Sequence, residues 1–87
     1  MSQQAIGMIE AKGLIAAIEA ADAALKAANV QYVGQRRVGN GLVAITFTGD
    51  VSAVKAAVEA GAAAGSKLGQ IAATSVIARP HEETGKV

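Results

Sequence analysis

One run of residues, Gly39-x-Gly41-x-x-Ala44, has the spacing of the glycine fingerprint that binds dinucleotides, with alanine as its last residue. In that fingerprint the glycines must open a helix, because the helix N-terminus receives the pyrophosphate. Here Gly41 is followed by Leu-Val-Ala-Ile-Thr-Phe, and such β-branched and aromatic residues favour a strand. We therefore expect no dinucleotide at these glycines, and no cofactor.

The other reactive side chains are scattered along the chain. His81 is the single histidine, it lies in a polar tail beside Pro80, and the chain has no cysteine, so a metal site would lack two or three ligands. Ser52 and Ser66 have no adjacent base. No carboxylate pair for acid–base work is indicated, because the acidic residues occur singly at helix faces or caps: Glu10, Glu19, Asp22, Asp50 and Glu59. We expect no metal, no catalytic residue and no enzymatic activity.

The glycines fit a β-hairpin better than a cofactor site. Asn40-Gly41 between apolar runs is a strong hairpin signal, because both central residues of a type I′ turn need positive φ. A second interpretation is compatible with the first. If the small residues Gly39, Asn40 and Gly41 formed a tip repeated around a symmetric ring, they would line a narrow opening with backbone amides and one short polar side chain.

The hydrophobic pattern before the turn predicts a strand over residues 5–10 and a helix over residues 14–28. We expect Asn29 to follow this helix in the left-handed conformation. Asp22 and Lys26 form an i,i+4 pair in the favourable order. Apolar residues recur at three- and four-residue spacing, which predicts one apolar stripe: Leu14, Ile18, Ala21, Leu25 and Ala28.

The pattern around and after the turn predicts hairpin strands over residues 30–38 and 42–48 and a last strand over residues 70–78. Between them, Asp50 is expected to cap a second helix that ends at residues 65–69 and carries a stripe of Val51, Val54, Val58 and Ala62. Strand-helix-strand-strand-helix-strand is the split βαβ order. The predicted fold class is α+β, ferredoxin-like, with two helices on one face of an antiparallel sheet.

Length and composition favour one domain that associates with copies of itself. A chain of 87 residues buries only about 60–65% of its unfolded surface. Alanine dominates the 52% of hydrophobic residues, so little apolar area is available for a core, and neither a disulfide nor a metal is expected to compensate. We expect residues 1–87 to form a single domain with tails at residues 1–4 and 82–87.

Charge and hydropathy exclude several classes of partner. Eight Lys and Arg residues against seven Asp and Glu give a net charge of +1, which provides no electrostatic footprint for nucleic acid. One Phe and one Tyr offer no platform for stacked bases. No apolar run approaches the ~20 residues of a membrane span, and the start of the chain lacks the features of a secretion signal. We expect a cytosolic protein without nucleic-acid or membrane partners.

The whole chain resembles the single-domain, hexamer-forming shell proteins of bacterial microcompartments, the BMC family found in carboxysomes and in the propanediol, ethanolamine and glycyl-radical organelles. The blocks that carry the resemblance are Ile6-Gly7-Met8-Ile9-Glu10, Lys12-Gly13-Leu14, Ile18-Glu19-Ala20-Ala21-Asp22-Ala23, Lys26-Ala27-Ala28-Asn29-Val30, Val33-Gly34, Gly39-Asn40-Gly41, Gly49-Asp50-Val51, Val54-Lys55-Ala56-Ala57, Ala60-Gly61-Ala62 and Val76-Ile77-Ala78-Arg79-Pro80-His81.

The resemblance implies a structural protein of the microcompartment shell, located in the bacterial cytoplasm. It implies a homohexamer that tiles into a sheet with a central pore for small metabolites. Implied partners are other shell proteins, namely hexamers, trimers and pentameric vertices, together with targeting segments of the enzymes in the lumen.

The site residues implied by the resemblance form two groups. Residues 39–41 match the pore loop, and Arg37 precedes it. Lys26 matches a lysine at the seam between hexamers, Asn29 lies beside it, and Arg79 matches an arginine that reaches across the seam to backbone carbonyls of the neighbouring hexamer.

The chain also departs from the family pattern. Gln35-Arg36-Arg37 replaces a common Tyr-Glu-Lys, and Asn40 replaces Ser or Gly at the tip. If both arginines point toward the mouth of the pore, their combined charge favours small anions. If they point into subunit interfaces, that argument disappears. Thr48, Ser75 and Ala78 also replace the commoner arginine, histidine and proline.

Two alternative functions come from other classes. One is a small ferredoxin-like regulatory oligomer that binds a metabolite or nucleotide between its subunits. The other is a catalytic oligomer whose active site lies at a subunit interface.

Overall fold

A computed structural model describes residues 4–79, which form four strands and two helices. The predictions for residues 1–3 and for the tail from Pro80 onwards lie outside this range. In chain order the elements are β1 (Gln4–Lys12), α1 (Leu14–Ala27), β2 (Gln31–Gly39), β3 (Leu42–Asp50), α2 (Val51–Gly65) and β4 (Gln70–Arg79). The strands form one antiparallel sheet in the order β2-β3-β1-β4, which confirms the predicted split βαβ fold.

The core lies between the two helices and one face of the sheet. Alternate residues of β1 are buried, since successive side chains of a strand point to opposite faces. Ile9 lies opposite Ile45 of β3, and both are fully buried together with Phe47 and Val54. Phe47 also contacts the Tyr32 ring, with 5.9 Å between ring centroids. The other face of the sheet is covered by neither helix.

The helices pack closely because small residues form their contact. A Cβ placed on Gly61 of α2 would lie 2.7 Å from the Ala20 carbonyl oxygen of α1, and one on Gly65 would lie 3.0 Å from the Ala16 carbonyl oxygen. At such distances no side chain fits between the backbones. Ala16, Ala17, Ala20 and Ala24 form the buried face of α1 for this reason.

The apolar stripe predicted for α1 is therefore on the wrong face. Leu14, Ile18 and Leu25 are exposed in the single chain, Ile18 to 54%, while Ala21 and Ala28 are only partly buried. The spacing of the stripe fits a helix, but α2 approaches α1 closely through its glycines, and this contact requires the small alanine side chains of α1. The stripe predicted for α2 is confirmed for Val54 and Val58, which are buried, and for Val51, which packs against the core, whereas Ala62 is only half-buried and is not part of the core cluster.

Two predicted helix caps are also corrected. Asn29 does not have positive φ, and α1 instead ends through Ala28 in an extended conformation, with φ −155° and ψ 161°. Asp50 does occupy the N-cap position of α2, but its side chain makes no capping hydrogen bond. The end of α2 agrees with the prediction, because Ser66 N–H donates to the Ala62 carbonyl at 3.0 Å just after Gly65.

Candidate functional site

The hairpin tip has the predicted turn. Asn40 and Gly41 are its two central residues, with φ of 54° and 77°, and Gly39 pairs with Leu42 across the turn. Both central φ values are positive, as a type I′ turn requires. Asn40 is the single non-glycine residue with positive φ within residues 4–79. Gly41 leads directly into β3, which confirms the predicted strand, so these glycines lack the helix that the dinucleotide fingerprint requires.

Two contacts at the tip were not predicted from the sequence. The Gly13 N–H donates to the Gly41 carbonyl oxygen at 2.8 Å, which ties the tip to the start of α1. The Lys12 side chain passes beside Gly41, with its Cε 3.6 Å from the position of a Cβ on that glycine. Both contacts depend on the pairing of β1 with β3, which brings Lys12 opposite Leu42. No local sequence signal marks them.

Arg36 and Arg37 lie on opposite faces of the sheet. Arg37 pairs with Val43, whose side chain is in the core on the helix face, whereas Arg36 pairs with Ala44 on the uncovered face. Arg37 lines a cleft of about 300 Å³ together with Leu14 and the tip glycines. Arg36 lines a shallower depression of about 220 Å³ on the other side. The two positive charges therefore lie on different faces of the sheet.

Lys26 is an exposed residue in the last turn of α1. Its Nζ lies 3.0 Å from Oδ2 of Asp22, as expected for the i,i+4 pair. The hydrogen bond and the charge of Asp22 raise the pKa of Lys26 above its ordinary value, with a smaller contribution from Glu19. Asp22 thus stabilises the charged form of the ammonium group.

Lys26, Asn29 and Arg79, here called the edge residues, lie at the end of the sheet opposite the hairpin tip. Arg79 pairs with Gln4 at the start of β1. The Asn29 carbonyl oxygen is 3.5 Å from the position of a Cβ on Gly49, which pairs with the neighbouring Ala5. The tip is near Lys12, at the other end of β1. The fold thus separates the two predicted groups by the full length of a strand.

Groups suited to catalysis do not converge in the described part of the chain. Within residues 4–79, no three His, Cys, Asp or Glu side chains are placed to hold a metal ion. No helix in that range is both long and apolar enough to cross a membrane. The features that stand out are instead a glycine-rich tip, a charged edge and exposed apolar side chains, which are typical of proteins that assemble through their surfaces.

Comparison with known proteins identifies the family. The family model for the BMC domain matches residues 5–80, so the chain belongs to the BMC-domain family. It is 55% identical to the bacterial microcompartment shell protein PduA of Citrobacter freundii over 87 residues, covering 100% of this chain and 94% of that protein. It is 49% identical to the shell protein EutM of Escherichia coli K12 over 84 residues, covering 97% of this chain and 87% of that protein.

Two further comparisons agree. The chain is 51% identical over 80 residues to the carboxysome shell protein CsoS1 of Prochlorococcus marinus, covering 91% of this chain and 78% of that protein. The fold matches a crystal structure of a microcompartment protein from Desulfitobacterium hafniense with a TM-score of 0.80 and 32% identity. That match covers 87% of this chain but only 41% of the solved one.

Family membership confirms the predicted structural role as a shell protein of a bacterial microcompartment, and with it the predicted location in a protein shell within the bacterial cytoplasm. The regulatory alternative is not favoured, because the relatives that match along most of the chain are named as shell proteins.

Proposed function

We propose that this chain forms a cyclic homohexamer in which residues 39–41 surround a central pore and the edge residues meet neighbouring hexamers. The observation that carries the proposal is the placement of the tip and the edge residues at opposite ends of β1. In a ring, one end of each subunit must face the axis and the other the rim. A pore loop and a seam therefore need this separation within the single chain.

Exposed apolar side chains support association. Ile15 is 71% exposed and Val33 62% exposed. Exposed large apolar side chains favour contact with another protein surface. Subunit contacts in the hexamer would remove this surface from water and compensate for an alanine-rich core.

The pore would admit small metabolites and would be narrowest at Asn40. Its side chain is exposed at the tip and offers one carbonyl acceptor and two amide donors. Arg37 lies in the cleft beside the tip glycines, so its charge would act near the axis on the helix side. Arg36 would act from the uncovered face of the sheet.

The function is structural rather than enzymatic, and residues 1–87 act as one shell domain. Other shell proteins, including trimers and pentameric vertices, complete the closed shell, and targeting segments of the lumen enzymes bind its inner side. The support is that the relatives matching along most of the chain are named as shell proteins.

Electron microscopy of the purified protein tests the assembly. We expect extended sheets or tubes from the parent chain, and intact hexamers without sheets from Lys26→Ala and from Arg79→Ala. Lys67→Ala is a matched control, because this exposed lysine follows α2 near the tip end of the sheet. If either edge variant still forms sheets like the parent, that residue does not act at the seam. Sedimentation that finds a stable folded monomer instead of a hexamer would contradict the proposal itself.

A further inference from the structure

The hairpin tip combines two features that favour a chemical change of Asn40. The residue is exposed, and it is followed by Gly41, which has no Cβ to hinder an approach to its backbone nitrogen. Among the turn and loop hydrogen bonds of residues 4–79, Gly41 takes part through its carbonyl oxygen, which accepts from Gly13 N–H, and not through its nitrogen. The Gly41 N–H is therefore available for reaction.

We propose that Asn40 is a site of spontaneous deamidation, in which water converts its side-chain amide into a carboxylate. The Gly41 nitrogen loses its proton to solvent hydroxide and attacks Cγ of Asn40. A new C–N bond closes a five-membered succinimide, and the side-chain amide group takes up a proton and leaves as ammonia. Water then opens the ring at either carbonyl and gives aspartate or isoaspartate. The sum is one amide and one water converted to one acid and one ammonia, with no oxidant.

The surroundings of the tip favour the charged product. The Lys12 side chain lies beside Gly41, so a cation is available near the new carboxylate. Near neutral pH each conversion adds one negative charge at the tip. Where the proposed hexamer forms, and this consequence rests on that proposed function, the ring of amides becomes a ring of carboxylates that opposes the charge of Arg37.

The chain contains its own control. Asn29 is the second of two asparagines and is also exposed. It is followed by β-branched Val30, whose N–H donates to the Ala28 carbonyl oxygen at 3.0 Å. At Asn29 the attacking nitrogen is therefore both crowded and engaged in a hydrogen bond. Exposure alone predicts equal rates at the two asparagines, whereas the proposed mechanism predicts reaction at Asn40.

The test is to incubate the purified protein in mildly alkaline buffer and to follow it by peptide mass spectrometry and by ammonia release. We expect a mass gain of about 1 Da in the peptide that contains Asn40. The rate should exceed that at Asn29 by about tenfold or more, because Val30 hinders attack and glycine does not. Asn40→Gly retains the positive φ, should remove the mass gain from that peptide, and should lower ammonia release to the slow rate supplied by Asn29.

A peptide containing Asn40 that stays unchanged overturns the proposal, as do equal rates at the two asparagines or ammonia release from Asn40→Gly as fast as from the parent. Native mass spectrometry of the same samples reports the oligomeric state separately. If the chain deamidates at Asn40 but does not form hexamers, the proposed modification site stands and only the proposed pore is refuted.

Discussion

Lys26 Nζ lies 3.0 Å from Asp22 Oδ2, one helical turn earlier on the exposed side of α1. Lys26 is one of the edge residues that we propose to meet neighbouring hexamers, and where two copies of it face each other across the seam, two ammonium groups must approach each other. Asp22 lowers the repulsion by supplying one negative charge per lysine. The pair would therefore serve assembly more than the folding of the single chain, since exposed ion pairs contribute little to stability.

Replacing Asp22 with Asn should weaken sheet assembly most at low salt, where unscreened lysines repel most strongly. The change also removes the main cause of the raised pKa of Lys26, so that pKa should fall toward its ordinary value. A raised lysine pKa favours the charged form, and its contribution is lost only as the pH rises through the raised value. Light scattering at a series of salt concentrations and pH values measures the assembly. Asp22→Glu should assemble like the parent, because it keeps the negative charge. Equal salt dependence in parent and Asn variant would refute the role of Asp22.

Gly61→Ala should destabilise the fold, because its Cβ would lie 2.7 Å from the Ala20 carbonyl oxygen and 2.8 Å from Ile9 Cδ1. Overpacking of this kind costs about 1–3 kcal/mol in the free energy of unfolding. Urea unfolding at fixed protein concentration measures the loss, since association itself contributes to stability. The control is Ala56→Ser on the exposed side of α2, with an expected change within about 0.5 kcal/mol. Similar losses in the two variants would mean that the helices can separate at little cost.

Asn40→Leu and Asn40→Gly should change metabolite flux in opposite directions. Leucine narrows the tip and removes its hydrogen bonding, whereas glycine widens it and accepts the positive φ without strain. Flux through assembled shells made from each variant is the measurement, with electron microscopy to verify normal assembly. If flux through the two variants and the parent is indistinguishable, Asn40 serves only the turn and does not control the pore.

Arg37→Gln should lower the flux of small anions more than that of neutral solutes of similar size. The reason is that Arg37 lies in the cleft beside the tip glycines. Arg36→Gln is the matched control, because it removes the same charge from the neighbouring position on the opposite face. Raising the ionic strength should reduce the difference between the variants. If Arg36→Gln has the larger effect, the arginine on the uncovered face controls the pore.

The sequence was sufficient where the structure depends on local interactions. Asn40-Gly41 specifies its own turn through backbone conformation, and the alternation of Val43, Ile45 and Phe47 identifies the buried face of β3. The buried face of α1 could not be predicted in this way. An alanine-rich helix is apolar on several sides, and the choice between them depends on Gly61 and Gly65, which are more than thirty residues away in the sequence.

The candidate site divides along the same line. The resemblance indicated the tip and edge residues, but their separation along β1 follows from strand register, which is a non-local property. The contact of Lys12 with Gly41 depends on the same register. Asn29 was expected in the left-handed conformation because it follows a helix, but in the structure Ala28 already leaves the helix in an extended conformation.

The placement of Arg36 and Arg37 on opposite faces has a consequence for how such a layer can diversify. In the layer that we propose, two adjacent codons would specify chemistry on its two sides, since neighbouring residues of a strand point in opposite directions. A point mutation in one codon can alter one side while the other side keeps its charge. Selection, or a designer, can therefore tune the inner and outer surfaces of a compartment wall independently, without inserting a residue or moving the backbone.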